Sequence, residues 1–491
     1  MRLFNRFIVS VLFLFIFIPL TVFSREPQPE RTDWILKRGY GIFVHYLNNI
    51  QNDAEHVSSL GKSTSWDDCV NEFNVEIFAD RMKEAGAGYV IFTVLQRSRF
   101  MIAPNETYNR LTGYKAGEAC SRRDLIEELY QALHKRDIDL MLYFTGDATI
   151  DDPQAAKGLK IKFPITEEFI CNWSSVVAEY GNRYKDKVKG YWVDGCYRHL
   201  GYDEKSFKIF AAGLRAGNPD RIIAFNSGVG MKAYSNYEDY ICGEQNSFSL
   251  LPNGGRFLNG EQWHILSFLG ISPKNISLGW GSPGVCKTKQ ELAEYIYRVN
   301  SLGGVVSIDV LLYRDGEMDR SQLETLKSLR ERIAVLAKER NAWKEGKAIP
   351  AKNIAWKKPA RLRSNDNKRD LPPSSGVIRA ACNGNDGNCD TTAVGANDWA
   401  WTYEVDLCEL IKVRRVVVSF GVSYPTEVEI FAVNSDGGEI SLGRFSDQRG
   451  QSLDVSFESK EACKVRVRSY KPDGPNQLGG QMSISELEVY E

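Results

Sequence analysis

The chain has 491 residues, 43% hydrophobic and 25% charged, enough for two or three packed domains and unlike a disordered or collagen-like polymer. Its 62 basic and 63 acidic residues leave a formal charge of −1. That balance gives no electrostatic footing for nucleic acid or an anionic membrane surface as partner.

Residues 1–24 read as a signal peptide. Arg2 and Arg6 start it, Ile8 to Leu20 is almost unbroken Val, Leu, Ile and Phe, and a cut falls near Ser24. The apolar core is short for a membrane span, so the alternative of an uncleaved anchor is second to export into the periplasm or medium. No later segment has the length and polarity of a membrane helix. Ten cysteines in an exported chain invite disulfides, with Cys382–Cys389 and Cys408–Cys463 as the candidate pairs. The other six (Cys69, Cys120, Cys171, Cys196, Cys242, Cys286) have no zinc-type spacing.

From residue 31 to 343, apolar runs alternate with amphipathic helices. Gly41–Leu47 is the first strand, Asn74–Ala87 a helix, Tyr89–Val94 the second strand, Arg123–Arg136 a helix and Asp139–Phe144 the third strand. Thr166–Tyr184 is a longer helix before a fourth strand at Tyr191–Val193. Ser206–Ala216 is helical, Arg221–Asn226 the fifth strand and Tyr240–Glu244 a short sixth. The pattern then predicts a helix over Glu261–Leu269, a seventh strand at Ser277–Trp280, a helix over Thr288–Leu302, an eighth strand at Gly304–Val310 and a closing helix over Gln322–Trp343. Eight strands alternating with helices predict a (β/α)₈ barrel of the TIM type. The competing open doubly wound sheet lacks a glycine-rich phosphate loop after its first strand.

Residues 344–375, rich in Lys, Pro, Asn and Ser, read as a linker leading into a second domain, 376–491. There, strands at Thr402–Leu407, Arg415–Val422, Glu427–Val433, Ile440–Phe445, Ser452–Phe457, Lys464–Ser469 and Ile484–Tyr490 predict a small all-β sandwich.

A barrel presents its chemistry at the C-terminal ends of its strands. Those ends carry His45, Gln96 and Arg97, Asp147, Asp194, Asn226, Glu244, Trp280 and Asp309. Two carboxylates among hydroxyl-binding polar groups and indole faces suit glycoside hydrolysis, one acid attacking or stabilising the anomeric carbon and the other protonating the leaving oxygen. Each residue also has a plain structural reading. His45 could terminate the barrel, Asp147 and Asn226 could cap, Asp309 could serve structure, Glu244 could be a loop acid, and Glu261 with His264 could simply begin a helix.

The order of motifs narrows this. Gly41-Ile-Phe-Val-His45, Phe78 through Thr93, Arg123-Asp-Leu125 through Tyr143, Gly190-Tyr-Trp-Val-Asp194, and Ser301-Leu-Gly-Gly304 through Asp315-Gly316 resemble, in order, five blocks of family 29 glycoside hydrolases, the retaining α-L-fucosidases. The resemblance spans Trp34 to Ile333. It implies Asp194 as nucleophile, Glu244 as acid/base with Glu261 second, and no cofactor for catalysis. It also implies an oligo- or polysaccharide substrate, and a sugar pocket drawn from His45, Gln96, Arg97, Trp192, Asn226, His264 and Trp280. One departure stands out: Leu95-Gln-Arg-Ser-Arg-Phe100 replaces a family run with two histidines, putting Gln96 and Arg97 in their places. An arginine there suits a carboxylated or sulfated sugar, or an L-sugar other than fucose. The rival from another class is a non-catalytic glycan-binding protein on the same barrel. The second domain, through Asn385-Asp-Gly-Asn388, Thr391, Trp399-Ala-Trp401, Tyr403–Leu407 and Glu486–Val489, is similar to discoidin-like carbohydrate-binding modules. That likeness implies a structural calcium beside the Asp386 loop. The alternative is an appendage without lectin activity.

Overall fold

The computed structural model describes residues 26–252, 255–272, 279–344, 353–366, 381–387, 391–395, 400–421, 424–446, 452–471 and 482–491. The signal segment, Asn388, Cys389, Trp399 and the first two residues of the seventh strand expected at Ser277–Trp280 lie outside them.

Seven parallel strands form one sheet: β1 (Tyr40–Val44), β2 (Tyr89–Thr93), β3 (Asp139–Thr145), β4 (Val188–Asp194), β5 (Ile222–Phe225), β6 (His264–Phe268) and β7 (Val305–Val310), in the order β5-β4-β3-β2-β1-β7-β6. The gap between β5 and β6 is filled by Tyr240–Glu244. This segment is too irregular to be a strand, but it keeps a strand's bonds. Leu266 N donates to Gly243 O at 3.0 Å and Gln245 N to Leu266 O at 2.9 Å, while Asp239 N reaches Ile223 O of β5 at 2.8 Å. The result is a closed TIM-type barrel of eight positions.

Most helices fall where the 3.6-residue period puts them, and caps fix their starts. The Asn74 carboxamide accepts from Glu76 N and Ile77 N ahead of Val75–Glu84. Capping boxes at Asp203/Ser206 and Thr288/Glu291 open Glu204–Leu214 and Lys289–Ser301. The predicted closing helix is two, Arg320–Leu326 and Leu329–Lys344, broken where Ser328 turns to φ 60°.

The helix expected over Glu261–Leu269 is instead strand β6. A parallel strand is buried on both faces, so its apolar run carries no alternation to separate it from a buried helix. It takes the ring position assigned to Ser277–Trp280. Gly279 and Trp280 are not in a strand.

The barrel core has two layers. Outward residues such as Ile42, Val90, Leu142, Val193, Phe225 and Ile308 pack under the helices. Inward ones, Phe43, Tyr89, Ile91, Met141, Tyr143, Trp192, Ala224, Leu266 and Val305, fill the lumen. Gly41 has no side chain to add, because a Cβ there would stand 2.2 Å from the Tyr89 ring. The period of two then decides the site. Continuing the inward face upward gives Phe43 then His45, Trp192 then Asp194, Ala224 then Asn226, and Ser307 then Asp309.

The second domain is an all-β sandwich with antiparallel pairing. Two pairs of expected strands prove continuous, Trp401–Phe420 and Ser452–Lys471, running through register shifts near Asp406/Ile411 and Val413/Arg415. The stretch read as linker holds a strand, Ala360–Ser364, paired to the first of these. The Cys408–Cys463 bridge does not form. Cys408 sits at the bulge with φ 67° and bonds back to Asp406 O, whereas Cys463 Sγ points to Asn434 O. Cys382 is a free thiol, and its expected partner Cys389 is outside the described residues. Among the described residues no helix is long and apolar enough to cross a membrane.

Candidate active site

At the C-terminal end of the barrel a cavity of about 270 Å³ is lined by Phe43, His45, Ile50, Gln96, Tyr143, Trp192, Asp194, Glu244, Leu266 and Trp280. Asp194 stands at its centre because it is the last inward position of β4. Its Oδ1 accepts from Gly195 N at 2.8 Å, Asn226 Nδ2 at 2.9 Å and Tyr197 OH at 3.2 Å, and its Oδ2 from Tyr143 OH at 2.9 Å. Four donors from three strand ends leave the carboxylate one orientation. Gly195 is required beside it: its φ is +68°, and a Cβ would come within 2.8 Å of Asp147 Oδ1.

Gln96 Nε2 donates to the Tyr143 hydroxyl at 2.9 Å, so Gln96, Tyr143 and Asp194 form a directed chain. Burial, and then the Asp194 charge, push the Tyr143 hydroxyl well above its ordinary range, which keeps it the donor to Asp194. The Tyr143 ring stacks on Trp192 with centroids 5.4 Å apart. His45 Nδ1 pairs with Asp309 Oδ1 at 2.9 Å, and Asp309 Oδ2 accepts Gly281 N at 2.7 Å, which ties the Trp280 loop to the rim. Trp280 thereby reaches the site from outside any strand.

Asn226 joins the two acids. Its Nδ2 donates to Asp194 Oδ1 and, at 2.6 Å, to Glu244 Oε2. Glu244 is half-buried and its carboxyl is raised above the ordinary range. Burial raises it most, the Asn226 bond pulls back, Asp194 raises it further and His45 lowers it.

Three expected site residues are elsewhere. Glu261 precedes β6 and so lies at the opposite, N-terminal end of the barrel from Asp194. His264 is fully buried inside the lumen, with Nδ1 on the Ile241 and Cys242 carbonyls and Nε2 on Ser307 Oγ, and burial pushes it down to about 4. It is a structural histidine. Arg97 does not line the cavity. It adopts φ 57° and spends its guanidinium on Asp151, at 2.8 and 3.0 Å, and on buried Asp147. Asp147 is raised chiefly by burial, with Arg97 holding it down. Arg97→Ala is therefore expected to cost about 1–2 kcal/mol by stranding that buried carboxylate, limited by solvent screening of the half-exposed guanidinium. Thermal unfolding at neutral pH reads this loss, and an unchanged midpoint would refute the pairing.

Tyr143 and Tyr197 were not singled out by the sequence. Tyr143 lies within an apolar strand and looks like core, and Tyr197 follows the Asp194-Gly195 turn with no pattern of its own.

An alpha-L-fucosidase family model matches residues 14–335. A Caenorhabditis elegans protein named "Putative alpha-L-fucosidase" is 25% identical over 168 residues, covering 28% of this chain and 34% of its own length. The chain thus spans about a third of the curated relative it matches. Among solved structures, a Ruminococcus gnavus GH29 fucosidase mutant in complex with fucose aligns over 95% of both chains at 16% identity, TM-score 0.44. A chitosan-binding module from a Paenibacillus chitosanase/glucanase aligns over 28% of this chain and 98% of its own at 22% identity, TM-score 0.24. The family match takes in every strand of the barrel, the Asp194 strand among them, and the chain belongs to the alpha-L-fucosidase family.

Proposed function

We propose that the protein is a retaining, exo-acting glycoside hydrolase that removes a terminal α-L-fucose, or a closely related uncharged L-sugar, from a glycan. The observation that carries this reading is the Asn226 bridge. Two bonds from one nitrogen, 2.9 and 2.6 Å, keep Asp194 Oδ1 and Glu244 Oε2 no more than about 5.5 Å apart, which supports a retaining pair over the wider inverting one. In this mechanism Asp194 attacks the anomeric carbon as the bond to the leaving oxygen breaks, and Glu244 gives that oxygen its proton. Glu244 then takes a proton from water, whose oxygen attacks the same carbon and releases Asp194. The raised Glu244 carboxyl suits the acid step, and the fixed Asp194 suits attack from one direction. Trp192, Trp280 and Phe43 offer apolar faces to the ring, while His45 and Gln96 supply polar atoms for its hydroxyls. The pairing of Arg97 with two aspartates supports an uncharged sugar over a sulfated or acidic one. The test is turnover of aryl α-L-fucosides, α-L-galactosides and their sulfated forms, with the first-formed anomer read by NMR. The α anomer is expected first, and a β anomer would overturn the mechanism.

We also propose a structural calcium in the second domain, supported by one buried carboxylate at the Asp386 loop, although the described residues include no group of three or more His, Cys, Asp or Glu side chains that could hold a metal. Glu486 is 3% exposed; its Oε2 accepts Gly387 N at 3.1 Å and its Oε1 has no hydrogen-bond partner among the described residues. Burial first, then the Glu488 and Asp386 charges, push it up to about 8. Glu486 and the Asp386-Gly387 loop would hold the ion, which would neutralise this excess negative charge. Without a cation, the neutral form is favoured in the fold. The stability tied to Glu486 is then full below the ordinary carboxylate range and lost as pH rises through about 8. Calcium is accordingly expected to raise the domain's unfolding temperature by roughly 5 °C at pH 8 and little at pH 5. Scanning calorimetry of the full chain measures this. Glu486→Gln should abolish the response, which separates it from Glu238, a second carboxyl pushed up to about 8.

A further inference from the structure

Asp309 is a carboxylate at the barrel rim that the proposed reaction leaves unused. It is fully buried near the end of β7, in register with Phe43 of β1 on one side and Phe268 of β6 on the other. Among the described residues no lysine or arginine pairs with it. Its two oxygens go instead to two separate elements. Oδ1 meets His45 Nδ1 at 2.9 Å, and Oδ2 accepts Gly281 N at 2.7 Å.

The Gly281 bond fixes how the carboxylate is turned. Gly281 adopts φ +55°, a conformation open to glycine, and its neighbour Gly279 packs where a Cβ would stand 2.3 Å from the Phe268 ring. Gln322 holds the following turn through Ser282 O and Gly284 O, at 2.8 and 2.9 Å. Pinned at these points, the loop keeps Gly281 N on Oδ2 and leaves Oδ1 to His45. Trp280, between the two glycines, stands edge-to-face with His45, centroids 6.4 Å apart.

The Oδ1 contact then decides what His45 offers to the cavity it lines. A carboxylate has no hydrogen to give, so Nδ1 carries the ring hydrogen and donates it. In the neutral ring Nε2 is left as a bare lone pair, and no hydrogen bond joins it to any described residue. A histidine held this way accepts a hydrogen bond and cannot donate one.

We propose that Asp309 is a positioning residue that sets His45 as an acceptor for one sugar hydroxyl, a role that rests on reading the cavity as a sugar site. The site then selects a sugar whose hydroxyl donates at that place.

The informative substitution is Asp309→Asn. Its carboxamide oxygen can go on accepting Gly281 N, while its NH₂ must donate to His45 Nδ1, which moves the ring hydrogen to Nε2. With five histidines in the chain, nitrogen NMR of the full chain reads the tautomer directly, and His45→Gln assigns the signal. Wild type is expected to carry the hydrogen on Nδ1 and Asp309→Asn on Nε2. Calorimetry with L-fucose and its singly deoxygenated and singly fluorinated analogues reads the consequence. L-Fucose should bind Asp309→Asn about tenfold more weakly, because two donors now face each other. At one ring position the fluoro-to-deoxy affinity ratio should rise about threefold from wild type to the variant, since fluorine accepts from Nε2–H and neither substituent donates to a bare Nε2. A loss of packing alone would leave that ratio unchanged. Hydrogen on Nε2 in wild type, an unchanged tautomer in the folded variant, or a constant ratio at every ring position would each overturn the role given to Asp309. Should the variant unfold, the wild-type tautomer decides. The expected tautomers without binding of L-fucose would instead count against the fucoside reading of the cavity, and would leave the hold of Asp309 on His45 in place.

Discussion

Replacing Asp194 by alanine is expected to lower kcat for an aryl α-L-fucoside by about 10⁴-fold, with little change in KM, because under the proposed mechanism the variant loses the group that forms the covalent intermediate. The structure makes the experiment clean. Asp194 is held by Tyr143, Gly195, Asn226 and Tyr197, which all remain when the carboxylate is cut away. The space left beside these donors suits a small anion. Azide should therefore restore turnover and yield a β-configured sugar azide, whereas wild type yields the α-configured sugar. Unimpaired hydrolysis by the alanine variant would remove Asp194 from the mechanism, and loss of activity without azide rescue would point to misfolding, which circular dichroism would reveal.

The second large effect is at Glu244. Its carboxyl is raised by burial and by Asp194, so it keeps its proton to a higher pH than an ordinary glutamic acid. In the proposed mechanism it acts as the acid and must be protonated in the first step. Activity should thus fall on the alkaline side as pH passes through this raised value. Glu244→Gln should lower kcat by about 10²- to 10⁴-fold for a poor leaving group, and far less for a nitrophenol that leaves unprotonated. The same variant should lose the alkaline limb of the profile. A limb that persists would assign it to another group. Asn226 makes the two tests interdependent, since one amide nitrogen bridges both acids. Double-mutant effects at Asp194 and Glu244 are expected to be far from additive.

The legibility of this site from sequence varied with the local geometry. Asp194 and His45 stand at the C-terminal tips of short apolar strands, and strand-end position together with the order of motifs brought them out, whereas their inward direction follows only from the closed barrel. Glu244 was found at the end of a segment read as a strand. The segment is irregular, yet its bonds to β6 keep Glu244 at the rim. Glu261 and His264 failed together for one reason. Taking Glu261–Leu269 as a helix put both at a helix start, whereas as β6 and its approach it sends one to the far end of the barrel and the other into the lumen. Arg97 was at the expected place in the chain but not in the cavity, because Asp147 and Asp151, fifty and more residues away, claim its guanidinium.

By itself the sequence determined the alternation of strands and helices, the switch to an all-β domain, and the carboxylate at the tip of the fourth strand. These follow from local periodicity, capping and the order of motifs, which are properties of neighbours along the chain. Only the tertiary structure decided which acid accompanies Asp194, that Tyr143 and Gln96 orient it, that Arg97 is neutralised, and that Asp309 meets His45 across 264 residues of chain. Each of these depends on which charges and donors the closed barrel brings within a few ångströms, and distance in space is not encoded in spacing along the chain.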